Sequence, residues 1–262
     1  MKSSELIGIS RQQAQVDACC EFVSSLDQIK LLYTELALRP DKNFGWDKGS
    51  ENARRLGYEP TWIERLPAPV WESAAAVGNP FSLGSIHPSE TVVDLGCGAG
   101  ADLCIASLLV GDDGHVIGVD ATPSMVEKAR DNAKLAGLAN IEVREGNLTQ
   151  LPLPSACADV VISNGAINLV TDKAAAFSEI YRILHPGGRL QFADIVREQA
   201  SKESCTTGSA ESWADCVSGT LPAETILSML QQAGFTAIEL VAHTDYRTSA
   251  STKGALFRAV KP

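Results

Sequence analysis

The fold of this chain is decided by the stretch Val92-Val93-Asp94-Leu95-Gly96-Cys97-Gly98-Ala99-Gly100-Ala101. The apolar residues at its start predict a buried strand, and the glycines lie where the backbone must turn tightly into a helix and approach a ligand closely. Asp120 follows Gly100 by about 20 residues, at the end of the next predicted strand. A carboxylate there can accept hydrogen bonds from both hydroxyls of an adenosine ribose. The loop and the acid together predict a nucleotide-like ligand at a helix N-terminus.

Outward from this loop, short apolar runs alternate with helical stretches from Thr91 to the end of the chain. The alternation is typical of βαβ units and predicts an α/β fold, a Rossmann-like sandwich with a mostly parallel sheet. Strands are predicted at residues 91–95, 115–119, 141–144, 159–163 and 189–192, with the final strands at 236–241 and 254–260. Helices are predicted at residues 122–137, 172–184 and 222–233.

The residues before Gly84 have a helical pattern instead. Between Arg11 and Leu38, apolar residues recur at steps of three and four, which predicts a helix that ends before Pro40. Three short helices are predicted after it, beginning at Ser50, Pro60 and Pro69, the last of them running to residue 78. We therefore expect an N-terminal helical cap or lid over residues 1–84 and a ligand-binding domain over residues 85–262.

Composition and charge narrow the classes of ligand and partner. Of the 262 residues, 45% are hydrophobic and 21% are charged, which is ordinary for a globular protein. Acidic residues outnumber basic ones by 32 to 22, for a formal net charge of −10. Neither a nucleic acid nor an anionic membrane is therefore an expected partner. A small molecule is the better expectation, and the sequence leaves the oligomeric state open.

The cysteines and histidines predict no metal site. Seven cysteines cannot all pair, no Cys-x-x-Cys occurs, and the four histidines are widely scattered. Reduced thiols fit the cytosol. The first residues lack the long apolar region of a signal peptide, and no later run approaches membrane-spanning length. We therefore expect a cytoplasmic protein.

A nicotinamide enzyme is an alternative, because Gly96 begins a Gly-x-Gly-x-x-Ala pattern that satisfies the permissive form of the dinucleotide fingerprint. Asp94 favours another ligand. A carboxylate just ahead of the glycines can receive a ligand ammonium, directly or through water, and a pyrophosphate offers no such donor. Asp94 could instead merely hold its own loop in place, so the residues alone leave both interpretations open.

Three segments carry a family resemblance: residues 92–100, Gly118-Val119-Asp120 and Leu184-His185-Pro186-Gly187-Gly188-Arg189-Leu190. In them the chain resembles the class I S-adenosylmethionine-dependent methyltransferases. The resemblance implies a seven-stranded sheet with an antiparallel last strand, the methionyl end of the cofactor over the glycine loop, and its ribose on Asp120. It also implies that the adenine lies beside residues 146–148 and that residues 163–164 close the pocket. The cofactor-binding residues implied in this way are Asp94, Gly96, Cys97, Gly98, Gly100, Asp120, Ala121, Met125, Asn147, Leu148 and Ser163.

Further motifs narrow the resemblance. They are Gly111-Asp112-Asp113-Gly114-His115-Val116-Ile117-Gly118-Val119-Asp120, Thr122-Pro123-Ser124-Met125, Val161-Ile162-Ser163-Asn164 with Ile167-Asn168-Leu169, and Cys216-Val217-Ser218-Gly219. Over roughly residues 77–240 the chain is similar to the arsenite methyltransferases. That resemblance implies three cysteines that hold As(III) as a soft trithiolate. Aligned by the flanking motifs, Val77 and Gly165 occupy two of those positions, and only Cys216 matches.

The expected methyl acceptor is therefore a small soft nucleophile such as a thiol, a selenol, a ring nitrogen or an organoarsenical, with arsenite as an alternative. Asn79, Asn164 and Cys216 are the predicted catalytic residues on the acceptor side. A regulator that binds S-adenosylmethionine without turnover is a second alternative. Methyl transfer depends on orientation and exclusion of water. Aromatic residues of the cap are candidates to cover the cofactor, or they simply pack: Tyr33, Phe44, Trp46, Tyr58 and Trp71.

Overall fold

The computed structural model of the chain describes residues 25–198 and 219–262. Within them the strands are β1 Thr91–Leu95, β2 His115–Asp120, β3 Ile141–Glu145, β4 Ala158–Asn164, β5 Leu184–Arg197, β6 Thr236–His243 and β7 Thr252–Val260. They form one sheet in the order β3-β2-β1-β4-β5-β7-β6. Strands β1 to β5 pair in parallel, and β7 is antiparallel to both β5 and β6. The predicted α/β fold and the antiparallel last strand are confirmed.

Helices precede the sheet and connect its strands. The α-helices of the described residues are α1 Ser25–Leu38, α2 Gly49–Arg55, α3 Pro60–Arg65, α4 Ala68–Glu72, α5 Ala101–Val110, α6 Pro123–Leu135, α7 Lys173–Ile183 and α8 Ala223–Gln232. Short 3₁₀ turns lie at Pro80–Leu83 and Ile167–Leu169. Pro60 and Pro123 each occupy the first helical position, where a fixed φ suits the turn and the missing N–H costs nothing.

The two faces of the sheet carry separate layers of apolar side chains. Val93 and Leu95 of β1 pack in one cluster with Phe177 of α7. The side chain of Val92 lies on the opposite face of the strand and packs in another cluster with Leu103 of α5. Since helices cover both faces, β1 is buried at successive positions, which explains the apolar residues Val92, Val93 and Leu95 on either side of the buried Asp94.

The strand order reverses beside β1. Strands β2 and β3 lie on one side of it, and β4 and β5 lie on the other. Connections from β1 and β4 therefore leave in opposite directions and open a crevice at the carboxyl ends of the strands. Ligands of open α/β sheets bind at such a reversal, so the topology puts the loop after β1 where a ligand is expected.

The N-terminal helices form a layer on the sheet domain. Tyr58 and Trp71 are buried in one cluster with Cys104 of α5, and Leu36 of α1 packs with Met125 of α6. Each of these clusters joins side chains from both parts of the chain. The boundary between cap and core stays a prediction.

Two short helices differ from their predicted limits. Ser50 lies inside α2, which begins at Gly49 and has no side-chain cap. Gly49 has a φ of +85°, which glycine adopts most readily, and so it makes the turn into the helix. Helix α4 ends at Glu72 rather than at residue 78. Beyond it, the backbone N–H of Val77 donates to the side chain of Asn164 at 2.9 Å, a long-range bond that takes the place of helical pairing.

Strand β5 extends well beyond the predicted residues 189–192, because β7 pairs with it continuously from Arg189 to Arg197. Among residues 25–198 and 219–262, no helix has the length and apolar character needed to cross a bilayer.

Candidate cofactor site

A cavity of about 350 Å³ lies at the carboxyl ends of β1, β2 and β4. Its lining combines the backbone of the glycine loop, apolar side chains of α1 and four aspartates, which are Asp94, Asp102, Asp120 and Asp172. No lysine, arginine or histidine of the described residues lines it. The cavity is therefore suited to a ligand that carries positive charge.

The glycine loop forms one wall of the cavity. Gly96, Gly98 and Gly100 have φ values of +70°, +52° and +88°, which residues with a side chain rarely adopt. A Cβ at Gly96 would collide with Ala166, whereas one at Gly98 would meet nothing within 4 Å. Gly100 is the N-cap of α5 and lies behind the lining. A ligand can therefore approach the bare backbone at Gly98.

Asp120 lies at the end of β2 and is held by the backbone. Its Oδ2 accepts from the N–H of Gly98 at 2.9 Å, and its Oδ1 accepts from the N–H of Thr122 at 2.8 Å. Burial raises the pKa of Asp120, while these N–H donors act against the rise. Each carboxylate oxygen can still accept another hydrogen bond, so the group is positioned for two ligand hydroxyls.

Asp94 is the least satisfied polar group of the cavity. It is 2% exposed, and its Oδ2 has no hydrogen-bond partner among the described residues. Burial raises the pKa of Asp94 well above its usual range, and the nearby Asp102 and Asp120 carboxylates add to the rise. An unpaired buried carboxylate oxygen is costly. A donor on a bound ligand would satisfy it, and the methionyl ammonium of S-adenosylmethionine fits this requirement.

Asp102, in the first turn of α5, belongs to a network that sequence reasoning missed. The Tyr58 hydroxyl donates to its Oδ1 at 2.8 Å, and Asn164 Nδ2 donates to its Oδ2 at 2.9 Å. Asn164 Oδ1 accepts from the N–H of Val77 at 2.9 Å, which fixes the orientation of the amide. An acid in the first turn of a helix is ordinarily explained by the helix dipole, so Asp102 carried no distinct signal. Its position directly after the glycine loop is the signal that could have found it.

The expected adenine side is formed by residues after β3. Asn147 and Leu148 line the cavity with Thr149. Asn147 Oδ1 accepts from the Thr149 N–H at 3.0 Å, so this turn is locally fixed. Ala121 and Met125 line the cavity as expected.

Cys97 also lines the cavity. Burial raises the pKa of its thiol well above the usual range, and Asp120 and Asp94 raise it further. The thiol therefore stays protonated and acts as a wall rather than as a nucleophile. The described residues contain no group of three or more histidine, cysteine or acidic side chains that could hold a metal ion.

Ser163 and Asn79 lie outside the cavity lining. The Ser163 hydroxyl is buried and donates to the carbonyl of Leu95 at 2.8 Å. Asn79 accepts from the Phe81 N–H at 3.0 Å and donates to the Gly57 carbonyl at 2.8 Å, so its side chain caps the 3₁₀ turn. Cys216 lies outside the described residues.

Of the five cap aromatics, Tyr33 lines the cavity. Tyr58 and Trp71 are buried against α5, and the rings of Phe44 and Trp46 lie at a tilt with their centroids 5.3 Å apart. The lining side chains that sequence reasoning missed in this region are Leu26 and Ile29 of α1. They come to the cavity only because α1 folds back over the sheet.

The two positions that depart from the arsenic-binding cysteines are neighbours in space. A Cβ at Gly165 would lie 3.2 Å from Val77 Cγ1, and Gly165 has a φ of +66°. Val77 is 3% exposed and packs in a cluster with Ala193 and Ile195. The apolar side chain of Val77 therefore fills the space beside Gly165, at the positions where the resemblance implies two cysteine thiols.

Comparisons with known proteins show the family of the chain. The family described as "Methyltransferase domain" matches residues 86–234. An arsenite methyltransferase from Halobacterium salinarum is 38% identical over 191 residues, which are 73% of this chain and 48% of the relative. One from Aquipseudomonas alcaligenes is 31% identical over 193 residues, with coverage of 70% and 55%. The chain thus spans about half the length of the curated relatives it matches.

Solved structures agree as well. An arsenic(III) S-adenosylmethionine methyltransferase from Chlamydomonas reinhardtii aligns with a TM-score of 0.62 at 28% identity, covering 79% of this chain and 72% of that one. Haemonchus contortus phosphoethanolamine N-methyltransferase 2, in complex with S-adenosyl-L-methionine, has a TM-score of 0.62 at 18% identity, covering 81% and 59%, a likeness of fold. The chain belongs to the class I S-adenosylmethionine-dependent methyltransferases, close to the arsenite methyltransferase family.

Proposed function

We propose that this chain transfers a methyl group from S-adenosylmethionine to a small soft nucleophile such as a thiol, a selenol, a ring nitrogen or an organoarsenical. The observation that carries the proposal is the charge of the cavity, in which four aspartates and no basic residue of the described chain surround the bare glycine loop. The cofactor carries a sulfonium and an ammonium, so its cationic end complements these carboxylates.

Each part of the cavity has a proposed task. Asp120 accepts the ribose hydroxyls, Asn147 and Leu148 border the adenine, and Asp94 Oδ2 accepts from the ammonium. Gly98 leaves room for the methionyl chain. When bound, the cofactor supplies an electrophilic methyl group. The chain orients that group toward the acceptor and excludes water from it.

The cap, proposed to be residues 1–84, supplies much of this exclusion. Leu26, Ile29 and Tyr33 of α1 line the cavity on the side away from the sheet, and the segment of residues 74–76 lines it as well. Closing these apolar side chains over the cofactor would shield the sulfonium, and Tyr33 could add a cation–π contact.

A nicotinamide dinucleotide fits the same cavity poorly. Its pyrophosphate would bring negative charge among the aspartates without a basic partner among the described lining residues. Calorimetric titration with S-adenosylmethionine and with NADH separates the two functions. Tight binding of NADH and none of S-adenosylmethionine would reverse this proposal.

The identity of the acceptor turns on Val77 and Gly165. Neither residue carries a soft donor atom, and a single thiolate leaves the other positions of As(III) to water. Free arsenite is therefore proposed to be a poor substrate. The names of the curated relatives favour the alternative, a true arsenite methyltransferase whose thiolates come from cysteines outside the described residues.

A turnover assay tests the acceptor. Production of S-adenosylhomocysteine is measured with thiols, imidazoles, organoarsenicals and arsenite as acceptors. Rapid methylation of arsenite that is lost in Cys216→Ser would establish the alternative. Binding of S-adenosylmethionine without turnover on any acceptor would favour a regulator. Cys216 is the residue proposed to act on the acceptor side. The Asn164 amide, also expected there, is engaged by Tyr58, Asp102 and Val77.

The compartment is proposed to be the cytoplasm. Three cysteines of the described residues, Cys97, Cys104 and Cys157, are free thiols, which is the state that a reducing compartment maintains.

A further inference from the structure

The Asp102 carboxylate is held in one position without being neutralised. Both of its oxygens accept from neutral donors, the Tyr58 hydroxyl at 2.8 Å and Asn164 Nδ2 at 2.9 Å. No ion pair to a basic residue is present at Asp102 in the described part of the chain. The carboxylate also lines the cavity. A buried carboxylate without a counter-charge is costly, so a cation that enters the cavity would stabilise Asp102.

A second observation points to the same ligand group. Asp94 lines the cavity, is 2% exposed, and leaves its Oδ2 without a partner among the described residues. Two carboxylates thus meet one cavity from β1 and from α5. A primary ammonium has three N–H donors and one positive charge, so it can bridge two acceptors that a neutral hydroxyl could not neutralise.

We propose that Asp102 is a second carboxylate, beside Asp94, of the pocket that holds the α-ammonium of the cofactor, and that Tyr58 and Asn164 are its positioning residues. This assignment rests on the proposed function, since it requires S-adenosylmethionine as the ligand.

Binding of the ammonium should then release a proton. Burial raises the pKa of Asp102 to about 6, although its hydrogen bonds from Asn164 and Tyr58 act in the opposite direction. Asp94 and Asp102 face each other, and Asp120 at the end of β2 is the other charged group near them. The nearby titratable groups Tyr58, Cys97 and Cys104 are neutral. Near the pKa of Asp102 the free protein therefore carries a proton on the pair, and an incoming cation displaces it.

A comparison of two ligands separates the effect of the ammonium from that of the rest of the cofactor. S-adenosylhomocysteine carries the ammonium without the sulfonium, and 5′-methylthioadenosine lacks the whole amino-acid part. Calorimetry of each ligand in two buffers of different ionisation enthalpy gives the number of protons released. We expect release that approaches one proton at about pH 5 with S-adenosylhomocysteine and none with methylthioadenosine. Below the pKa of Asp102, the Kd of S-adenosylhomocysteine should rise about tenfold per pH unit, while that of methylthioadenosine stays flat.

Variants assign the effect to Asp102. Asp102→Asn should weaken S-adenosylhomocysteine binding at least tenfold and reduce the proton release, with the Kd of methylthioadenosine unchanged as proof of folding. Tyr58→Phe keeps the carboxylate but removes a donor, so proton release should persist and move to higher pH. Asp113→Asn changes a carboxylate at an exposed turn outside the cavity, and it should leave the proton release unaltered.

Other results would overturn the assignment. Equal proton release with both ligands, or S-adenosylhomocysteine binding unchanged in Asp102→Asn, would show that Asp102 does not meet the ammonium, with the proposed function intact. Failure of the unmodified protein to bind either ligand would instead refute the proposed function and this assignment with it.

Discussion

At the scale of single residues, the protein holds two carboxylates of the cavity, Asp102 and Asp120, by hydrogen bonds before any ligand arrives. Asp120 shows this most simply, because the N–H groups of Gly98 and Thr122 fix both of its oxygens. A group that is already positioned loses little conformational freedom when it binds, so more of its hydrogen-bond energy contributes to affinity.

Replacing Asp120 by alanine should therefore weaken S-adenosylmethionine binding by tens-fold or more. Hydrogen bonds to a charged group contribute about 1.5–3 kcal/mol each, and about 1.4 kcal/mol is a factor of ten. Calorimetry measures the change, and circular dichroism checks the fold. Asp113→Ala, at an exposed turn outside the cavity, is the matched control and should bind as the parent does. Unchanged affinity in Asp120→Ala would refute its role.

Residues of the site could be predicted from the sequence where local spacing encodes them. The glycines, Asp94 and Asp120 follow from strand ends and turns. Ile29 could not be found in this way, since only the folded chain brings α1 to the cavity. Asp102 directly follows the glycine loop, but an acid in the first turn of a helix already has an ordinary explanation. Asn79 is predicted as a catalytic residue, yet its side chain caps the 3₁₀ turn at Pro80–Leu83 and lies outside the cavity lining.

At the scale of elements, α1 joins the cavity to the core. Leu36, near its end, is fully buried against the core, and its carbonyl accepts from the Ser73 hydroxyl at 3.1 Å. Leu26 and Ile29, near its beginning, line the cavity. One end of the helix is therefore fixed, and the other depends on what the cavity holds.

Hydrogen exchange should divide α1 in two. Residues 26–33 should exchange more slowly when S-adenosylmethionine is added, because the ligand fills the space beneath them. Residues 35–38 should be protected already in the free protein. Exchange followed by mass spectrometry resolves the two halves. Full protection of both halves without ligand would mean that α1 is a fixed layer and not a lid.

A buried charge pair holds the loop between β4 and α7, which also lines the cavity. Lys173 Nζ donates to the carbonyls of Asn168 and Val170 at 2.9 and 2.7 Å. Asp194 accepts from the N–H groups of Asn168 and Ile195 at 2.8 and 2.7 Å. Burial raises the pKa of Asp194 to about 7, although the backbone donors and Lys173 oppose the rise.

This raised pKa makes stability depend on pH. The folded chain binds a proton at Asp194 that the unfolded chain, with an ordinary aspartate pKa of about 3.9, has already lost. The contribution of Asp194 to the free energy of unfolding is therefore fully present below about pH 4 and is lost as the pH rises to about 7. Asp194→Asn should reduce this pH-dependent loss of unfolding free energy by about 1–4 kcal/mol. The variant also leaves Lys173 without its counter-charge, so its stability should be lower overall. Urea unfolding at several pH values measures the slope, and an unaltered slope would contradict the prediction.

Element limits could be predicted where a residue restricts its own backbone and not where a distant contact decides. Pro60 fixes the start of α3 through its φ angle. Past the end of α4, the chain instead makes long-range bonds, from the Ser73 hydroxyl to the Leu36 carbonyl and from the Val77 N–H to Asn164. The length of β5 likewise depends on pairing with β7.

At the scale of the whole molecule, the cavity lies where several elements of a net acidic chain meet. The cavity joins β1, β2, β4 and the N-terminal layer, so a ligand that fills it stabilises contacts among all of them. A ligand that binds only the folded state raises its stability by mass action.

The midpoint of thermal unfolding, Tm, should therefore rise when S-adenosylmethionine is added. At about 100 times its Kd, S-adenosylmethionine should add about 2.7 kcal/mol, and about 1 kcal/mol raises Tm by roughly 2–4 °C in a protein of this size. NADH at the same concentration should leave Tm unchanged. Differential scanning fluorimetry compares the two, and a larger shift with NADH would favour the oxidoreductase alternative.

The hydrogen bonds of Asn164 also bear on the deamidation of this residue over time. Asn164-Gly165 is the sole Asn-Gly pair in the sequence, the pair most easily deamidated when the glycine nitrogen attacks the side-chain carbonyl. In the folded chain the Gly165 N–H donates to the carbonyl of Ala193 at 2.9 Å, and the amide of Asn164 is held by Tyr58, Asp102 and Val77. Cyclisation therefore requires these hydrogen bonds to open, and a carboxylate formed at position 164 would face Asp102. We expect conversion at position 164, read by mass spectrometry, to be slower in the folded protein than in the unfolded chain.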